Sequence, residues 1–218
     1  MRNYDIVLFD FDGTMVDSSE GIFKSLIYAL ESAGRERPSD ETLRKFIGPP
    51  LYDSFKNLFG FEDGEIQKMI DKYRERYREK GLEEVEVYEG IPELFKTLKE
   101  NGVKTATASS KPTQFIERIL KSTGLYEYVD YVGGTAFDEK GSGKTAILEN
   151  SLKMLGCTDR SRAIMVGDRK YDIDGAKGAG LKTIAVLYGF GSEEEFREHK
   201  AEYIVKSTKE IEKIILGD

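Results

Sequence analysis

Asp5-Ile6-Val7-Leu8-Phe9-Asp10-Phe11-Asp12-Gly13-Thr14 opens the chain with an apolar run that ends on two aspartates one residue apart. The run Asp5–Phe9 has the length and apolar character of a strand buried on both faces. Val103–Ala108, Arg162–Val166 and Lys182–Val186 repeat the pattern, and Tyr128–Gly133 and Tyr203–Val205 repeat it more weakly. Most of these runs are followed by Gly, Ser or Asp and then by a helical pattern. Strands alternating with helices predict βαβ units with right-handed crossovers. The expected fold is therefore α/β, a doubly wound parallel sheet with helices on both faces.

The stretch from Met15 to Val87 breaks that rhythm. Ser18–Ser32, Asp40–Ile47, Leu51–Leu58 and Asp63–Lys80 read as helices, punctuated by Gly34, Gly48-Pro49-Pro50, Gly60 and Gly81, with no convincing strand among them. A helical block after the first strand predicts a small all-helical cap domain over 16–87, inserted in a core of 1–15 and 88–218. Val16–Ser19 and Leu82–Glu89 are its expected hinges, and the acidic run Glu79–Gly90 is expected to be a solvated linker.

The composition is 39% hydrophobic and 33% charged over 218 residues, a globular balance. A formal net charge of −7 opposes general nucleic-acid binding, which needs a cationic surface. No stretch reaches the roughly 18 apolar residues of a membrane span, so neither nucleic acid nor membrane is an expected partner. The first ten residues run straight into a strand pattern, so no signal peptide is expected. With Cys157 as the single cysteine, the expected location is the cytoplasm.

Ligands of open parallel sheets bind beyond the carboxyl ends of the strands. Asp10 and Asp12 stand at such an end, where two neighbouring carboxylates are costly unless a cation neutralises them. Aspartates suit Mg2+ as hard oxygen ligands, although capping aspartates at a strand-end turn are the plainer alternative. Val166-Gly167-Asp168-Arg169-Lys170-Tyr171-Asp172 repeats the arrangement after another strand, and a parallel sheet puts both acidic clusters on one edge. Ser109-Ser110-Lys111-Pro112, expected to open a helix after Val103–Ala108, offers a hydroxyl and free amides to an anion. A serine N-cap is an equal reading of it.

Two glycine-rich segments imitate nucleotide sites. Gly141-Ser142-Gly143-Lys144-Thr145 lacks the first glycine of a phosphate-binding loop, because Asp138 stands there. Lys144 is better read as a helix-start cation projecting into the site. Gly175, Gly178 and Gly180 have the wrong spacing for a dinucleotide fingerprint and fit close helix packing and helix termination.

Taken in order, Asp10–Thr14, Ser109, Lys144 and Asp168–Asp172 resemble the four signature motifs of the haloacid dehalogenase superfamily, over nearly the whole chain. The resemblance implies a Rossmann-like core in which Asp10 is the nucleophile forming an aspartyl-phosphate and Asp12 is the general acid/base. It implies that Ser109, Ser110 and Lys144 hold phosphoryl oxygens. Asp10, the backbone carbonyl of Asp12 and Asp168 would bind Mg2+, and Asp172 would support the metal or orient Lys144. Cap closure would exclude bulk water and reopen for product release.

Phe46-Ile47-Gly48-Pro49-Pro50-Leu51 is similar to the substrate loop of phosphoglycolate-phosphatase-like members, which makes Gly48 and the nearby Arg44 candidate substrate contacts. A helix break and a solvated helix face are their plainer readings. The expected partner is a small phosphorylated metabolite and the expected state a monomer or homodimer. The expected enzyme is a magnesium-dependent phosphatase of small, phosphoglycolate-like phosphomonoesters. A 5′-nucleotidase or pyrophosphatase on the same scaffold, and a non-enzymatic phosphoryl-binding regulatory module, are the alternatives.

Overall fold

The apolar runs assemble as strands of one sheet in a computed structural model that describes residues 2–136 and 143–217. In chain order the strands are β1 (Ile6–Phe9), β2 (Val16–Asp17), β3 (Glu86–Val87), β4 (Lys104–Pro112), β5 (Tyr131–Thr135), β6 (Ala163–Gly167), β7 (Lys182–Val186) and β8 (Tyr203–Val205). Helices α1 (Ser19–Ser32), α2 (Asp40–Lys45), α3 (Leu51–Phe59) and α4 (Asp63–Arg76) fall between β2 and β3. The remainder are α5 (Ile91–Glu100), α6 (Thr113–Ser122), α7 (Gly143–Met154), α8 (Lys170–Gly178), α9 (Glu193–Glu198) and α10 (Thr208–Leu216). None of these helices is long and apolar enough to cross a membrane.

Six strands pair in the order β5-β4-β1-β6-β7-β8, every neighbouring pair parallel. From β1 the chain steps outward to β4 and β5, then returns to β6 on the other side of β1. The carboxyl end of β1 is thus the point where the winding reverses, the place where such sheets hold ligands. Phe9 is level with Thr107 of β4 and with Val166 of β6, so the residues just beyond these three positions lie side by side.

The residues of β1 alternate between the faces. Ile6 and Leu8 join Ala106, Leu148, Leu152, Met165 and Ala176 in one buried cluster beneath α7 and α8. Phe9 turns the other way and meets Phe95 of α5 with ring centroids 4.6 Å apart. Packing of α7 on α8 is close because Gly175 has no side chain: a Cβ there would lie 2.5 Å from Cγ of Lys144.

By its contacts the chain divides into two units, one running to Val16 and resuming at Val87, the other spanning Asp17–Glu86. The second unit is helical and carries its own core, in which Phe46 packs against Phe55, Phe59 and Tyr73 with centroids 5.3–6.3 Å apart. The chain crosses between the units in β2 and β3, which pair as a two-stranded sheet.

Several local expectations are revised. Strands do occur at the edges of the helical stretch, but at two residues each they are too short to leave a period-2 pattern. The helix expected over Asp63–Lys80 ends at Arg76 and widens into a π-helical turn over Tyr77–Gly81. The acidic run is not a solvated linker, because Gly81 and Leu82 are buried, Glu84 pairs with Arg76 at 2.9 Å and Glu86–Val87 forms β3. The strand that begins β5 starts at Tyr131 because Tyr126–Tyr128 is a 3-10 turn. Most consequentially, β4 does not stop at Ala108. It continues through Pro112, and the helix opens only at Thr113, because Pro112 keeps the residue before it extended.

Candidate active site

Asp10 begins where β1 ends. Its N–H still donates to the Val166 carbonyl at 2.9 Å, and the chain then folds back so that the amides of Met15 and Val16 donate to the Phe11 carbonyl at 3.0 and 3.2 Å. The turn depends on Gly13, whose φ of +89° suits glycine and whose absent Cβ would lie 2.2 Å from Oδ2 of Asp168. A single residue thus both reverses the chain and lets the acidic ends of β1 and β6 close on each other.

The register brings Ser109 and Asp168 one step past the level of Asp10 on the two flanking strands. Oxygens of Asp10, Asp168 and Asp172 lie within 4.8 Å of one another, and all three residues are buried. Asp168 accepts from the Thr14 hydroxyl at 3.2 Å and from the Phe190 amide at 2.8 Å. Asp172, in the first turn of α8, accepts on Oδ2 from the amides of Asp168 and Arg169 at 3.1 and 3.0 Å. Its Oδ1 lies 2.7 Å from Nζ of Lys144.

Lys144 stands on the first turn of α7 and reaches inward. Its ammonium donates to Asp10 at 2.8 Å and to the Ala108 carbonyl at 2.9 Å. Burial works against its charge, but Asp10 and Asp172 outweigh that effect and hold its pKa above the ordinary lysine value. The acids carry the opposite strain. Burial, then Asp172 and Asp10, pushes Asp168 well above the usual carboxylate range. Asp172 is pushed up to about 6, by burial first and by Asp10, against the pull of Lys144. Three buried carboxylates share one ammonium, so ionising all of them calls for further positive charge, and the donors are all hard oxygens. That set fits a divalent cation such as Mg2+.

The carboxylate of Asp12 is not in this group. It lies at 2.7 and 3.0 Å from Nζ of Lys111, so its contribution to a metal would be the backbone carbonyl. Ser109 is buried, and its Oγ accepts from the Lys111 amide at 3.4 Å. Ser110 stands next to it, its carbonyl accepting from Thr135 at 3.1 Å. Arg44, exposed in the last turn of α2, and Gly48, with φ +107° between α2 and α3, belong to the helical unit. Asp138, Gly141 and Ser142 lie outside the described residues.

Sequence reasoning missed three contributors. Lys111 was visible only as part of an anion-binding stretch, with nothing to mark Asp12 as its partner. Phe190 acts through its backbone amide and leaves no side-chain signal. Tyr188, whose hydroxyl donates to the Thr14 carbonyl at 3.1 Å, braces the turn after β1. Burial, then Asp168 and Tyr88, raises its pKa.

A family model described as haloacid dehalogenase-like hydrolase matches residues 7–186. A 5′-nucleotidase from Pseudomonas aeruginosa is 36% identical over 197 residues, covering 90% of this chain and 89% of that protein. The pyrophosphatase PpaX of Halalkalibacterium halodurans is 33% identical over 209 residues, 96% of this chain and 95% of that one. The crystal structure of a predicted phosphatase from Clostridium acetobutylicum aligns with a TM-score of 0.92 at 41% identity, covering 96% of this chain and 97% of its own. The family match takes in the ends of β1, β4 and β6 together, and on that ground the chain belongs to the haloacid dehalogenase-like hydrolases and stands among their phosphatases.

Proposed function

We propose that the chain is a magnesium-dependent phosphatase that hydrolyses a small phosphomonoester through an aspartyl-phosphate on Asp10. The observation that carries this reading is Asp10 itself, a buried carboxylate held by Lys144 at 2.8 Å and faced by Asp168 and Asp172 within 4.8 Å. A carboxylate and a phosphate monoester repel each other, so attack requires that their charge be offset. Lys144 supplies part of that charge; Asp10, Asp168 and the Asp12 carbonyl would hold a magnesium ion, which would supply the rest.

The chain's own groups then divide the work. Asp10 attacks phosphorus, and the bond to the leaving oxygen breaks with its electron pair on that oxygen, which takes a proton from Asp12. In the second half, Asp12 takes a proton from water as the water oxygen attacks phosphorus and the Asp10 carboxylate is released. Ser109, Ser110 and Lys144 hold the phosphoryl oxygens. Asp172 acts from behind, fixing Lys144 and the Asp168–Arg169 backbone.

The loop Phe46–Leu51 supports a phosphoglycolate-like ester, with Gly48 and Arg44 as the candidates for substrate choice. The 5′-nucleotidase relative supports a second reading, in which nucleoside 5′-monophosphates are the substrates. A panel of phosphorylated metabolites that includes phosphoglycolate, nucleoside monophosphates and pyrophosphate, ranked by kcat/KM, separates the two. For the chemistry, Asp10→Asn should abolish phosphate release from p-nitrophenyl phosphate while the circular dichroism spectrum stays native. Full activity in that variant would end the assignment.

A further inference from the structure

Lys111 is a buried cation that the motif assignment leaves without work. Its ammonium holds both oxygens of Asp12, at 2.7 and 3.0 Å, and lies 5.9 Å from the centroid of the Phe11 ring. The two side chains are only 6% and 14% exposed. An ammonium is not buried cheaply unless it is paired, so this position is committed to a specific anion.

The backbone shows how Lys111 is aimed. Ala108 pairs with Gly133 and Pro112 with Thr135, so four steps along β4 match two along β5 and the register slips between them. Irregularities of this kind re-aim a side chain at the end of a strand. Pro112 holds Lys111 extended, and the Lys111 amide turns back to Oγ of Ser109 at 3.4 Å. Asp12, for its part, is a carboxylate only one residue removed from Asp10. Among the described residues the three-acid group is nonetheless Asp10, Asp168 and Asp172, and Asp12 is drawn to Lys111 instead.

We propose that Lys111 is a positioning residue for Asp12. It fixes the carboxylate apart from the other acids, in the orientation from which it takes a proton from the attacking water. This rests on the roles given above to Asp10 and Asp12. In the step concerned, a water O–H bond breaks and its proton passes to Asp12. The water oxygen bonds to phosphorus, and the Asp10–phosphorus bond breaks with its electron pair returning to the Asp10 carboxylate.

The test is rapid-quench kinetics on the full chain with p-nitrophenyl phosphate and magnesium. Nitrophenolate is a stable anion that departs without a proton, so formation of the phosphoenzyme does not need Asp12. Lys111→Met should release a burst of nitrophenol stoichiometric with enzyme, followed by turnover slowed about 10- to 100-fold, as expected for a misplaced catalytic group. KM should fall by about the same factor as turnover, leaving kcat/KM within about threefold, because only the step after the phosphoenzyme is slowed, and Lys111→Arg should recover most of the turnover by offering another cation to Asp12. Should Lys111→Met fail to fold, the same burst and slow turnover are expected of Lys111→Gln. Unchanged turnover, or burst and turnover slowed by one common factor, would overturn the proposal. Asp12→Asn and Asp10→Asn separate the layers. A burst in Asp12→Asn but not in the Lys111 variants refutes the positioning role alone, whereas a burst in Asp10→Asn refutes the reading beneath it.

Discussion

Replacing Lys144 by methionine removes an ammonium that sits 2.8 Å from Asp10 and 2.7 Å from Asp172. The lysine side chain is 8% exposed, Asp10 equally so and Asp172 1%, so water cannot replace the lost partner. Removing one side of a buried ion pair typically costs about 3–5 kcal/mol, because the stranded charge stays buried. A chain of this size loses about 2–4 °C in Tm per kcal/mol, which places the metal-free variant roughly 6–20 °C below the parent. At the proposed metal site magnesium would supply charge to Asp10 and its acidic neighbours, so it should raise the Tm of the variant by more than it raises that of the parent. Calorimetric melts of both proteins in EDTA and in excess magnesium test this, read on the transition of the α/β unit. A variant melting within about 2 °C of the parent in EDTA, or equal stabilisation of both by magnesium, would refute the electrostatic account of the pocket.

Gly13→Ala should cost about 1–3 kcal/mol from backbone strain alone and should also weaken magnesium binding, because the new Cβ would meet Oδ2 of Asp168. An unchanged urea midpoint would count against that geometry. Asp5 lies 2.9 Å from Arg162 and 2.6 Å from Arg2, and the hydrogen bonds from Arg162 and then Arg2 hold its carboxyl down to about 2 from an ordinary 3.8. A pKa depressed in the folded state stabilises above the unfolded value and is lost as pH falls toward the folded one. The stability difference between the parent and Asp5→Asn should therefore be complete above about pH 4 and nearly gone by about pH 2. With 39% of the side chain exposed, the difference should stay below about 1 kcal/mol; a gap that persists at the acid end would contradict the assignment. Excess EDTA should silence phosphate release, and undiminished turnover there would remove the metal from the mechanism.

The sequence made the meeting of Asp10 with Asp168, Asp172 and Lys144 legible for a physical reason. Each sits one or two residues past an apolar strand or at a helix start, and a parallel sheet delivers all such ends to one edge. What was not legible depends on contacts remote in the chain. The extension of β4 past Ala108 is set by its slipped pairing with β5, which no local pattern around Ser109 announces. The Lys111–Asp12 pair joins residues 99 apart, and neither residue type nor spacing singles out one lysine among many. Support from the Phe190 amide is invisible because every residue but proline has one. The π-helical turn at Tyr77–Gly81 failed to show because its composition is that of an ordinary helix end.

Since β2 and β3 pair with each other, the excursion from Val16 to Val87 starts and finishes at adjacent points. For the remainder of the polypeptide it is topologically a single closed loop, however many helices it contains. The entropy of closing such a loop grows only with the logarithm of its length, so enlarging, trimming or transplanting the helices should leave the pairing of β1 with its neighbours untouched. On the reading proposed above, hydrolytic chemistry and choice of molecule would be written into separable pieces of one polypeptide, and a foreign helical block grafted between Val16 and Val87 should change selectivity while the ends of β1, β4 and β6 stay as they are.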